Sequence, residues 1–160
     1  MRILAIDPGY DRLGVAVIEG DPSRPTFIAS DCVEPKRGAR ELRLAEVYDA
    51  VASAIAHYNP DALALETLFF STNVKTALGV AEARGAVLAA AGAARLPVHE
   101  HYPQAVKLAV TGNGRADKTA VAHMVPKVIT LPPKKRLDDE YDAIALAICA
   151  LAAGQSTARA

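Results

Sequence analysis

The first third of the chain alternates short apolar runs with turn clusters. Arg2 to Ile6 is apolar and ends at Asp7-Pro8-Gly9, which predicts a buried strand followed by a turn. Leu13 to Glu19 is apolar and β-branched, a second strand, and Thr26 to Val33 reads as a third, weaker one. The intervening DPGYDR and GDPSRP segments carry the Asp, Gly and Pro of hairpin turns, so the sheet is expected to open as an antiparallel meander. From Arg40 to His57 the period changes. Leu42, Leu44, Val47, Val51 and Ile55 recur at helical spacing until Asn59-Pro60 stops the run. Ala62 to Leu65 is apolar on both faces, as in a central strand, and runs into Glu66. Asn73 to Ala94 predicts a long Ala-rich helix, and Leu96 to Glu100 another short strand. After Pro103 come a short helix near Ala105 to Val110, a TGNGRAD loop and a helix from about Asp117. Pro126 should kink or shorten that helix. A LPPKKRLDD loop then leads to a last helix from about Asp139 to Ala153.

The order is three strands, a helix, a strand, a helix, a strand and then helices, which is a mixed α/β fold. The 160 residues suit one domain. It is expected over residues 1–153, with a flexible tail over 154–160. Hydrophobic residues make up 51% and charged residues 22%, ordinary for a globular protein. The formal net charge of zero argues against a bulk polycation and against a disordered acidic chain. Cys32 and Cys149 lie far apart in apolar stretches with no zinc spacing, and are expected to be buried thiols. The MRILAID start lacks a signal-peptide pattern, and the longest apolar run, Ala143 to Ala153, is too short to cross a bilayer. The expectation is a cytoplasmic protein that makes no use of a membrane.

Two acids, Asp7 and Glu66, stand at the ends of buried strands. Burying an ionised carboxylate costs several kcal/mol, on the order of a typical net stability, unless something compensates. If the two strands are neighbours, these acids meet at one sheet edge. Asp139 and Asp142 are three apart and share a face of the last helix that is otherwise apolar. Four acids from three segments, with no His or Cys among them, suit a hard divalent cation such as Mg²⁺ or Mn²⁺. Two such ions can hold an attacking water and a leaving oxygen in line on a phosphodiester. Each acid alone also fits a plain structural role. Asp7 suits a turn, Glu66 a solvated strand end, and Asp138, Asp139 and Glu140 a helix N-terminus. Their coincidence points to chemistry.

The segments that carry these acids are specific as a set. They are IDPG at Ile6 to Gly9 with Gly14-Val15, ALALETLFF at Ala62 to Phe70, Asn73, and ALGVAEARG at Ala77 to Gly85. AVKLAVTGNGRADKTAVAHMV at Ala105 to Val125 and DEYDAIALAI at Asp139 to Ile148 complete it. In this order the chain resembles the RuvC family of Holliday-junction resolvases, metal-dependent nucleases of RNase H-like fold. The resemblance runs from Ile3 to about Leu151. It implies a five-stranded mixed sheet, antiparallel in its first three strands and then parallel, flanked by helices. It also implies that Asp7, Glu66, Asp139 and Asp142 hold two metal ions per site, with Asp138 the alternative at the third position. Lys107 and Lys118 match the family's basic residues beside the site. The wording Tyr10-Asp11-Arg12 and the Pro126 interruption depart from the family pattern.

Charge is unevenly spread. From Pro103 to Arg136, seven basic residues face only Asp117, a net +6, so the rest of the chain carries −6. Such a stripe is either a solvated face or a phosphate-binding one. Phe69 and Phe70 are adjacent in a chain with 5% aromatics. The plain reading is that one of them, Phe70, packs beneath the loop; the functional reading, which the resemblance favours, is that Phe69 stacks on an unpaired base. The expected DNA contacts are Phe69, Phe70, Asn73, Lys75, Lys107, Arg115 and Lys118. The histidines form no ligand spacing. His99 and His101 would point the same way from one strand, a weak metal pair or simply a partly exposed strand end. Small residues at Gly79, Ala83 and Ala86 to Ala94 make the long helix the candidate face for a homodimer, which paired incision requires.

The resemblance implies symmetrical nicks in four-way junction DNA during recombination and repair, with the branch-migration proteins RuvA and RuvB as partners. Three other readings remain at this stage. One is a nucleotide-binding domain of actin-like type, one a non-catalytic junction-binding module, and one a nuclease for RNA–DNA hybrids.

Overall fold

The structure, a computed structural model, describes residues 1–9, 11–68 and 74–154, with the backbone alone described at 74–76. The first strand, β1 (Arg2–Pro8), turns through Gly9, whose N–H bonds the Arg12 carbonyl, into β2 (Leu13–Asp21). A tight turn leads to β3 (Arg24–Val33). There the Asp21 carboxylate accepts from the Ser23 amide and hydroxyl, and Gly20 takes a left-handed φ of 113°. These three strands form the expected meander. β2 and β3 run two residues further into their turn than the pattern predicts, and β3 carries a bulge opposite Val17/Ile18.

Helix α1 (Arg40–Tyr58) ends as Asn59 adopts a left-handed conformation and bonds back to the Ile55 carbonyl. β4 (Ala62–Glu66) then pairs parallel to β1, and β5 (Val98–His101) pairs parallel to β4 after helix α2 (Val74–Ala93). The sheet order is β3-β2-β1-β4-β5. Placing β1 at the centre explains its apolar character on both faces. β5 begins two residues later than predicted and ends one later.

Each face of the sheet has its own core. Leu4, Ile6, Val17, Leu63 and Leu65 pack against α1 and α2. Ile3, Ala5, Ala16, Ile18, Ala62 and Ala64 pack against α3 (Pro103–Thr111), α4 (Lys118–Val128) and α5 (Asp138–Gly154). The alanines on this face let α5 lie close to the strands, and every α5 residue from Ala143 to Leu151 is buried. That burial accounts for the long apolar run without a membrane. No helix among the described residues is long and apolar enough to span one.

Pro126 neither stops nor visibly shortens α4. The helix continues to Val128, and the Ile129 amide still bonds the Val125 carbonyl. A proline so near the C-terminal end costs one helical bond and leaves only Lys127 and Val128 to continue the helix. α5 reaches Gly154, the first residue of the expected tail, and residues 155–160 lie outside the described ones.

Candidate active site

The register of β1 and β4 pairs Ile6 with Leu65, so Asp7 and Glu66 leave the sheet side by side at the same end. Asp7 is also opposite Gly14 on β2. That glycine is a packing requirement. A Cβ built there would overlap the carbonyl oxygen of Asp139 at the start of α5. The missing side chain therefore seats the helix against the strands. Asp142, one turn along α5, faces Asp7 and Glu66 across a cleft of about 320 Å³. Lys107 from α3 and Lys118 from α4 line the same cleft, whose walls include Val106, Val121 and Ala145.

The acids repel one another strongly. Burial, with Asp142 and Glu66 next, raises the Asp7 pKa to about 7 against the opposing pull of Lys118. Glu66 is also pushed above the usual glutamate value by burial and by Asp142. The ammonium of Lys118 donates to Asp142 Oδ2 at 2.6 Å, and its own pKa is raised by that bond and by the nearby acids. Asp139 is not among the residues lining the cleft; it lies 3.4 Å from the Arg12 guanidinium and adds to the field felt by Asp7 and Lys118. Asp138 is exposed.

A carboxylate set of this kind, oxygen donors only and under mutual repulsion, suits a hard divalent cation. Among the described residues, no three acidic, histidine or cysteine side chains are already gathered around one ion position. The Lys118 ammonium supplies the positive charge among them instead. The residues fit a metal provided that Lys118 yields its place beside Asp142. That movement is cheap, because its side chain is 78% exposed.

Two supports were not apparent from the sequence. Arg84, buried on α2, donates to the Glu66 carbonyl at 2.7 Å and pairs with Glu100 of β5 at 2.6 Å, fixing the end of β4. Glu140, buried on α5, accepts from Ser30 Oγ at 2.7 Å and Lys134 Nζ at 2.9 Å. Burial alone would raise the Glu140 pKa, but these partners and the Leu137 amide hold it below the ordinary value. The one signal for Arg84 was a basic residue in the Ala-rich middle of α2. For Glu140 it was its place three residues after Leu137, where a helix-capping acid belongs.

Other expectations shift. Lys118 and Lys134 are each engaged with a carboxylate, and Arg136 with Ser30 and the Phe27 ring. The +6 segment therefore presents less positive charge to a ligand than its count suggests. Arg115 is exposed in the loop after α3, its amide held by the Asn113 side chain. Ala83 is 4% exposed and packs inward beside α1, so it is not an outer contact residue. The surface of α2 carries Leu78 and Leu88 instead. His99 is exposed and His101 half-buried, and the His101 Nε2 has no partner among the described residues. Cys149 is buried as expected, whereas Cys32 is only partly so. Phe69, Phe70 and Asn73 lie outside the described residues, as does the Lys75 side chain. The departure at Asp11-Arg12 has a visible consequence, since Asp11 pairs with Arg43 and Arg12 with Asp139.

The sequence profile described as "Crossover junction endodeoxyribonuclease RuvC" matches residues 3–150. The chain belongs to the RuvC family. Family relatives include a crossover junction endodeoxyribonuclease RuvC of Thermomicrobium roseum, 42% identical over 93% of this chain and 91% of the relative. In three dimensions the chain is similar to Thermus thermophilus RuvC in complex with Holliday junction substrate. The TM-score is 0.89 at 31% identity, over 98% of this chain and 96% of that one. The yeast mitochondrial Holliday junction resolvase shares the fold at a TM-score of 0.71 and 10% identity, over 93% of this chain and 78% of that one. RuvC membership agrees with the strand order and with the RNase H-like architecture expected from the motifs.

Proposed function

We propose that this chain is a metal-dependent, structure-selective DNA endonuclease that resolves Holliday junctions by paired symmetrical nicks in recombination and repair. The observation that carries this reading is the meeting of Asp7, Glu66 and Asp142 with Lys107 and Lys118 in one cleft at the end of the sheet, with Asp139 near enough to act on Asp7 and Lys118. The chain's similarity to a RuvC bound to a Holliday junction supports the substrate. Mg²⁺ or Mn²⁺, two ions per site, would supply charge neutralisation and an activated water for in-line attack on phosphorus.

The chain's own residues do the rest. Asp7 and Glu66 hold their carboxylates at adjacent strand ends, α5 brings Asp142 into the same cleft, and Asp139 adds its charge from one turn earlier on that helix. Lys118, displaced from Asp142, is placed to stabilise negative charge developing on the phosphate, and Lys107 to contact the backbone. Arg115 extends that contact from the loop. Phe69 is assigned to stacking on an unpaired base, and Phe70, Asn73 and Lys75 to contacting the DNA. The nicks would carry 5′-phosphate and 3′-hydroxyl ends that a ligase can seal. Paired incision calls for a homodimer, with the outer face of α2 around Leu88 as its contact. RuvA and RuvB are the family's branch-migration partners, and the reaction belongs in the cytoplasm.

The test uses a labelled four-way junction, a linear duplex and an RNA–DNA hybrid, each with Mg²⁺, Mn²⁺ or EDTA, beside Asp7→Asn. Symmetrical nicks on the junction alone, lost with EDTA and in the variant, are expected. Tight junction binding without cleavage would leave a binding module, and cleavage of the hybrid would indicate a different nuclease.

A further inference from the structure

Glu140 follows Asp139 directly and precedes Asp142 by two residues, yet it points away from the cleft into a closed polar cluster. Its side chain is 4% exposed. One oxygen, Oε1, accepts from the Leu137 amide at 3.3 Å, the reach-back of a third helical residue to the residue that starts the helix. The other, Oε2, accepts from Ser30 Oγ at 2.7 Å and from Lys134 Nζ at 2.9 Å. Lys134 also donates to the Ser30 carbonyl at 3.1 Å, and Arg136 Nε to Ser30 Oγ at 3.1 Å. The Arg136 guanidinium lies 5.2 Å from the centre of the Phe27 ring. The first turn of α5 is thereby fastened to the edge strand β3 and to the loop that precedes the helix.

This fastening acts where the site is most exposed to disorder. Asp138, Asp139 and Glu140 place three like charges in one helical turn, and first turns fray because their amides lack helical partners. Neutralising one of the three with Lys134 and closing the Leu137 amide opposes both effects. Asp139 is then held from two sides, by the close approach of its carbonyl to Gly14 on β2 and by the Glu140 clamp to β3.

We infer that Glu140 is a positioning residue that, through Ser30 and Lys134, sets Asp139 and Asp142 for cation binding. The inference rests on the proposed four-carboxylate metal site. Side chains that hydrogen-bond a metal ligand directly contribute about 10–100-fold in affinity or activity, and Glu140, which acts through the helix turn instead, is expected at the low end of that range.

The test is Mn²⁺ binding to the full chain by calorimetry, with thermal unfolding in EDTA and junction binding in EDTA measured alongside. Glu140→Gln keeps the shape and an acceptor for Leu137 but loses the charge. It is expected to weaken Mn²⁺ binding by about tenfold or more. Its metal-free melting temperature should change by only a few degrees and its junction binding in EDTA not at all. Should Glu140→Gln fail to fold, Lys134→Met cuts the same clamp from its exposed side and is expected to weaken Mn²⁺ binding in the same direction. A folded Glu140→Gln, or in its absence Lys134→Met, that binds Mn²⁺ like the wild type overturns the inference and leaves the site reading intact. Failure of the wild type itself to bind Mn²⁺ overturns both.

Discussion

Replacing Asp7 with Asn should make the metal-free protein more stable at pH 8, even though it removes a residue placed in the active site. Asp7 is partly buried among Asp142, Glu66 and Asp139, and its pKa is raised from 3.8 to about 7. The native state therefore binds the Asp7 proton more tightly than the unfolded chain does. Stability from that proton is complete at acidic pH and is lost as pH rises toward and through 7. A change of that size in proton affinity corresponds to at most about 4 kcal/mol at pH 8. Asn removes the charge but still buries an amide, so roughly 1–3 kcal/mol should be recovered. For a chain of this length that is about 2–10 °C in melting temperature. Thermal unfolding in EDTA at pH 8 and pH 5 measures it. The gain should shrink at pH 5, where wild-type Asp7 is already protonated. Saturating Mn²⁺ should reverse the order, because the wild type alone gains from binding. An Asn variant that melts at or below the wild type at pH 8, or whose gain is the same at both pH values, would refute the carboxylate-crowding argument.

Other perturbations follow from the same geometry. Gly14→Ala forces a Cβ into the Asp139 carbonyl, so it should cost about 1–3 kcal/mol in denaturant unfolding and also weaken Mn²⁺ binding. Arg84→Ala strips the buried donor from the Glu66 carbonyl and from the half-exposed Glu100 and should cost about 1–3 kcal/mol. Arg84→Lys should recover only part of that, since an ammonium cannot span both groups in the same fork. Lys118→Met removes the positive charge that opposes Asp7, Glu66 and Asp142, so it should lower the metal-free melting temperature in EDTA at pH 8, and it should lower junction cleavage at saturating metal by about 100-fold. Leu88→Glu on the outer face of α2 should yield a folded monomer by light scattering. A persistent dimer would move the interface elsewhere.

Much of this architecture is legible in residue order. Apolar runs ending in an acid mark β1 and β4, and Leu42 to Ile55 at helical spacing mark α1. The pairing of Asp7 with Glu66 follows once those two strands are taken as neighbours. What the sequence hides depends on contacts between distant segments. Ser30 and Glu140 are 110 positions apart, and nothing near either one announces the other. Arg12 looks like a turn residue until α5 places Asp139 beside it. Pro126 misleads because its effect depends on how much helix lies beyond it, and here that is two residues. Ala83 misleads because a small residue on a helix reads the same whether it faces a second subunit or α1. The count of basic residues misleads for the same reason, since Lys134 is taken up by a glutamate within the fold.

The arrangement of α5 has a consequence for how the chain comes into being. Its acids lie at positions 139 and 142, whereas their partners at 7 and 66 are synthesised long before. A nascent chain that has not yet released α5 has a sheet face of Ile3, Ala5, Ala16 and Ile18 without its cover. It also has only half of the carboxylate cluster. Docking of this helix covers that face and brings Asp142 to Asp7 and Glu66 in one event, so the contact that completes this core also completes the proposed metal-binding set.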